Sequence, residues 1–150
     1  GDDTKGRAGR ERLANRSGPA PHPALIFAAT GREWFVRAAA DLCLRPTPQT
    51  KLHRAPYFNV WESGRICTGN VRLPERLDTS TLVGYEDAFF NSRFTHPNTD
   101  RLVKYPGGAY TLWADMLDHA TEGCFPQSAL IPLEETLEDW IDNITKGNHD

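Results

Sequence analysis

The sequence predicts an α+β domain: an antiparallel β-sheet, a meander, packed against helices concentrated in the C-terminal half. Three observations carry this. Two short apolar runs flank a glycine turn near residue 31. The stretch that follows is broken by prolines and polar spacers. The later chain shows apolar residues at helical spacing.

The first run, Ala24-Leu-Ile-Phe-Ala-Ala-Thr30, and the second, Glu33-Trp-Phe-Val-Arg-Ala-Ala39, are separated by Gly31-Arg32 and read as a β-hairpin. Residues 1–18 are polar, rich in Gly and Arg, and poor in large apolar residues, so they read as a flexible tail. Pro19 to Pro23 is a stiff extended lead-in. The domain is expected to span residues 19–150. Leu44 to Pro56 holds three prolines and reads as a loop with a short edge strand. Tyr57 to Leu73 is apolar around a Glu62-Ser63-Gly64 turn. Leu82, Tyr85 and Phe89 mark one face of a helix capped near Ser80. Gly107-Gly108 precedes a second helix, Ala109 to Ala120, which ends at Gly123. A third helix is expected from Leu133 to Thr145, with Leu133, Leu137, Trp140, Ile141 and Ile144 on one face.

The 150 residues are 39% hydrophobic and 25% charged, an ordinary composition for a soluble domain. No apolar run approaches the ~20 residues of a membrane span. No basic stretch followed by an apolar segment opens the chain, so no secretory leader is expected. The net charge of −3 is unevenly spread: seven basic against three acidic residues from Arg32 to Arg72, then nine acidic against one lysine from Asp115 to Asp150. The basic stretch reads either as ordinary solvated surface or as a patch that steers a protein partner. Cys43, Cys67 and Cys124 form no CxxC pair, which disfavours a disulfide framework or a closed zinc site and suits a reducing cytoplasm. No cofactor, metal, nucleic acid or membrane is expected as a partner.

The informative segment is Ala55-Pro-Tyr-Phe-Asn-Val-Trp-Glu-Ser-Gly-Arg-Ile-Cys-Thr-Gly69. Asn59-Val60, Gly64 and Ile66-Cys67 place the cysteine eight positions after the asparagine, across a glycine turn. This arrangement resembles the active-site stretch of ubiquitin-conjugating (E2) enzymes, where an Asn, an apolar residue, a Gly-containing turn and an apolar-Cys pair follow in that order. Tyr57 and Phe58 stand where that family has His-Pro, and Thr68 replaces the usual leucine after the cysteine. A Trp-based segment that typical E2s carry after the cysteine is not found.

A longer resemblance adds Phe89-Phe-x-Ser-x-Phe-Thr-His-Pro97, Gly107-Gly108 and Leu112-Trp113. From about Pro23 to Leu137 the chain resembles the protein B group of the bacterial PRTRC plasmid-associated systems, a prokaryotic E2 family. The resemblance implies an E2 (UBC-like) fold. It also implies three partners: an E1-like adenylating enzyme, a ubiquitin-like protein and a JAB-type metallopeptidase.

The chemistry suits these residue types. Acyl transfer needs a nucleophile that attacks well and leaves well, as a thiolate does, so Cys67 is the candidate thioester carrier. It also needs a donor for the oxyanion formed when an amine attacks, a role that fits Asn59. Arg65, two residues before the cysteine, and Arg54 further upstream supply positive charge that favours a thiolate. His96, in Thr95-His96-Pro97, is a candidate for deprotonating the amine or tuning the thiol, with His53 behind it. Each has a plainer reading: Cys67 as a small buried residue, Asn59 as a turn residue, His96 as a loop histidine. Cys43 and Cys124 read as core residues. The expected function is an E2-like carrier that passes a ubiquitin-like protein from Cys67 to an amine. The alternatives are an inactive scaffold of the same fold and, last, an unrelated cysteine peptidase.

Overall fold

A computed structural model describes residue 11 and residues 20–31, 33–40, 45–58, 60–66, 102–118 and 123–147. Backbone contacts divide the chain into two compact units. The first comprises Gly1–His22, Thr68–Pro97 and Tyr105–Phe125; the second comprises Pro23–Cys67, Asn98–Lys104 and Pro126–Asp150.

The second unit holds a four-stranded sheet in the order β1 (Ala24–Thr30), β2 (Glu33–Ala39), β3 (Lys51–His53), β4 (Pro132–Thr136). Every pairing is antiparallel, so the strands form the expected meander. The hairpin follows the sequence reading residue for residue. Thr30 pairs with Glu33 across a two-residue turn, and Gly31 has φ +59°. Two-residue hairpin turns demand a positive φ at their first central position, which glycine takes without steric cost.

β3 is not the edge strand that its prolines suggested. It lies between β2 and β4, with Ala38 opposite His53 on one side and Lys51 opposite Thr136 on the other. The prolines before it, Pro46 and Pro48, lie outside the strand itself, so they remove no ladder donor. The register shifts between Lys51 and His53, a local irregularity of the kind a bulge produces.

The third expected helix is also shorter than its spacing implied. Pro132–Thr136 is strand β4, and the helix runs only over Leu137–Thr145. Two local effects set this boundary. Thr136 is an extended N-cap whose hydroxyl accepts from the Asp139 amide, while the Asp139 carboxylate accepts from the Thr136 amide. The next two amides, Leu137 and Glu138, donate to the Thr50 and Pro48 carbonyls, so the free donors of the first turn are met by the loop before β3.

This helix covers one face of the sheet. Phe35, Leu52, Trp140 and Ile144 form a buried cluster, with Ile26, Ala28 and Leu137 against it. Each such apolar side chain contributes about 1.5–3 kcal/mol when fully buried. Val36 and Ala38 alternate with Phe35 and Arg37 on β2 and are buried as well. Both faces of β2 are therefore covered, which is why the strand shows no polar–apolar alternation.

In the first unit α1 spans Gly108–Asp118, close to the expected 109–120. Gly107 and Gly108 both have positive φ, 87° and 80°, as the chain turns into it. Trp113 is fully buried, with its ring 5.3 Å from His22 and 5.7 Å from Phe125 between centroids. With α1 placed first, the helix at Leu137–Thr145 is α2. The expected tail over 1–18 and the helix around Leu82 to Phe89 lie outside the described residues.

Candidate active site

The segment between the asparagine and the cysteine of the motif is a tight hairpin docked on β2. Val60 and Ile66 face each other as an antiparallel bridge, and Arg65 bridges to Phe35. Within the hairpin the Gly64 amide donates to the Trp61 carbonyl, 2.9 Å, and the Trp61 amide to the Arg65 carbonyl, 2.9 Å. Two bonds fix it to the strand: Val36 N–H to the Gly64 carbonyl and Ile66 N–H to the Trp34 carbonyl, both 2.8 Å. β2 thus offers its far edge twice, to β3 near Ala38 and to this hairpin near Phe35.

Gly64 is required here for two separate reasons. Its φ is +92°, where side-chain-bearing residues are strained. A Cβ at this position would also sit 2.9 Å from the Val36 carbonyl oxygen and 3.3 Å from the Trp140 ring. The glycine of the motif is therefore a packing requirement of the hairpin.

Ahead of the hairpin the chain is deeply buried. Ala55, Tyr57, Phe58 and Val60 are all core residues, and the Val60 amide donates to the Tyr57 carbonyl at 3.3 Å. Tyr57 and Phe58, which stand where E2 enzymes have His-Pro, are both buried. Asn59, Cys67 and His96 themselves lie outside the described residues.

The charges around the segment differ from the sequence expectation. Arg37 and Arg54 are buried, so two of the seven basic residues are withdrawn from any steering surface. Arg37 Nε donates to Glu135 Oε1 at 3.1 Å, and its guanidinium lies 5.8 Å from the centre of the Trp140 ring. Deleting one member of such a buried pair typically costs ~3–5 kcal/mol. Arg65 pairs with Glu33 at 3.7 Å and stacks over Trp61 at 5.7 Å, while half-exposed. Cys124 is exposed, not a core residue. The buried Phe125 beside it occupies the apolar position in that loop. Cys43 lies outside the described residues. Among the described residues no cluster of three or more His, Cys, Asp or Glu suits a metal, and no helix is long and apolar enough to cross a membrane.

His53, the second histidine candidate, is a sheet residue in β3. Burial holds its imidazole below the ordinary value, and the Lys104 ammonium adds to the effect. A histidine held neutral in the fold leaves stability unchanged above the unfolded value of about 6.5 and withdraws it as pH falls below. The urea midpoint of the wild type should therefore drop between about pH 7 and 5, and His53→Gln should flatten that drop. An equal pH slope in both proteins would remove His53 as its source.

The sequence reading missed the partner that holds the hairpin from the other side. Trp140 of α2 donates its indole N–H to the Ser63 carbonyl at 2.9 Å, across 77 positions of chain. Trp140 was legible only as one apolar member of a helix face. Arg37–Glu135 was missed as well, because each residue was counted in a run of like charge and read as surface.

Comparison with known proteins adds a family. The model of prokaryotic E2 family D matches residues 5–133, which include the whole motif. Neither the curated proteins nor the solved structures contain a match to this chain.

Proposed function

Because the chain belongs to prokaryotic E2 family D, we propose that it carries a ubiquitin-like protein as a thioester on Cys67 and delivers it to an amine. The observation that supports this most is the hairpin. Between the Asn and Cys positions of the motif, residues 60–66 form a hairpin hydrogen-bonded to β2, with Gly64 where a Cβ would meet the Val36 carbonyl. Ile66, the residue before Cys67, is tied to Trp34 and buried.

In the first step the Cys67 thiolate attacks the carbonyl of the ubiquitin-like protein held on an E1-like cysteine. The new S–C bond forms and the E1 thiolate leaves. ATP is consumed earlier, by the E1-like enzyme. In the second step an acceptor amine attacks the thioester carbonyl and loses a proton. Asn59 donates a hydrogen bond to the oxyanion, and Cys67 leaves as thiolate. His96 is the candidate base for the amine proton. The wider resemblance to the PRTRC protein B group implies a JAB-type metallopeptidase as a further partner.

The scaffold reading draws on Tyr57 and Phe58, both buried where the related enzymes have His-Pro. An E2 fold without transfer activity would bind the E1-like enzyme or the ubiquitin-like protein and carry nothing. A thioester assay separates the two. Mixing the chain with the E1-like enzyme, the ubiquitin-like protein and ATP yields a reductant-labile adduct if it is a carrier. A scaffold gives complex formation without adduct.

A further inference from the structure

The hairpin that leads to Cys67 is held on two sides, and the second side is the C-terminal helix. Ser63 and Gly64 lie between β2 and the Trp140 indole. The Gly64 carbonyl takes the Val36 amide at 2.8 Å, and the Ser63 carbonyl takes the Trp140 N–H at 2.9 Å. The fit is tight, since even a methyl on Gly64 would press on the indole. The indole is fixed in turn. It is 1% exposed, packs with Phe35, Leu52 and Ile144, and carries the Arg37 guanidinium against its ring. Arg37 is anchored by Glu135 on β4, one residue before the cap of α2.

We infer that Trp140 is a positioning residue for Cys67: its indole N–H latches α2 onto the turn three to four residues before the nucleophile. The nucleophile's role rests on the carrier reading above; the latch itself does not. A buried packing residue needs only the ring. The hydrogen bond from its edge to a loop carbonyl sets the height and tilt of the hairpin over β2. Phenylalanine keeps an aromatic ring and loses the donor.

The test reads Cys67 itself in the full chain. Iodoacetamide alkylation is followed against pH, with peptide mapping to separate Cys67 from the exposed Cys124 and from Cys43. Three proteins are compared below their melting transitions: wild type, Trp140→Phe and Ile144→Ala. Ile144→Ala opens the same core from α2 and keeps the indole donor. Trp140→Phe should change the alkylation profile of Cys67 relative to the wild type. It should also slow ATP-dependent loading by about tenfold, the scale on which small misplacements act. Ile144→Ala should leave the Cys67 profile as in the wild type. If Trp140→Phe leaves the profile unchanged, or Ile144→Ala shifts it equally, Trp140 is a core residue only. If the wild type forms no adduct at all, the carrier reading fails on its own, and the alkylation profiles still decide the latch.

Discussion

Cys67→Ser should form no reductant-labile adduct under conditions where the wild type is charged to completion. The expected loss is total because a thioester needs sulfur at that position. The substitution also has a positive signature. Serine keeps nearly the same size and can accept the acyl group as an oxyester. An alkoxide leaves far less readily than a thiolate, so an oxyester survives reductant and discharges slowly. Cys43→Ser and Cys124→Ser should charge normally. Cys124 is the more demanding control, because it is exposed and free. Loss of charging in Cys124→Ser, with charging retained in Cys67→Ser, would transfer the carrier role to a loop outside the motif.

Asn59→Ala should load at close to the wild-type rate and discharge to amine about 100-fold more slowly. Both steps pass through a tetrahedral oxyanion. Asn59 is assigned to the one formed when the amine attacks, where the charge develops on the Cys67 thioester without the E1-like enzyme beside it. The plainer role makes a different prediction. The neighbours of Asn59, Phe58 and Val60, are buried, and the Val60 amide bonds back to Tyr57. If Asn59 only maintains this turn, its loss lowers the melting temperature and slows both steps together. The loading rate, the discharge rate and a melting curve on one mutant therefore decide between the two.

Those elements whose determinants are local were legible in the sequence. The β1–β2 hairpin needs a glycine between two β-rich runs, and its register follows from the two-residue turn. α1 needs the Gly107-Gly108 entry and the spacing of Leu112, Trp113 and Met116. β4 was hidden because Leu133 stands four residues before Leu137 and extends the helical spacing one turn too far. The sequence did contain the opposing signal: Thr136 three residues before Asp139 is an N-cap pair, and it marks where the helix begins. β3 was misplaced for another reason. Nothing near Lys51–His53 shows that Pro132–Thr136 will pair along its second side.

The candidate site divides the same way. Asn, Gly and Cys were readable because they fall within one short stretch of chain, and Gly64 is demanded by the hairpin itself. What clamps that hairpin was not. The Trp140 bond to Ser63 and the Arg37 bond to Glu135 join residues 77 and 98 positions apart. A buried ion pair also looks, in sequence, like two members of opposite surface charge runs.

The most direct test of the carrier assignment is the site of acylation. The wild-type chain is incubated with the E1-like enzyme, the ubiquitin-like protein and ATP, then digested under non-reducing acidic conditions and mapped by mass spectrometry. The account predicts that the C-terminal acyl group of the ubiquitin-like protein is found on the peptide containing Cys67, that it requires ATP, and that reductant removes it. Acylation on another cysteine, a reductant-stable bond to lysine without a Cys67 intermediate, or tight binding of both partners with every cysteine free would contradict it.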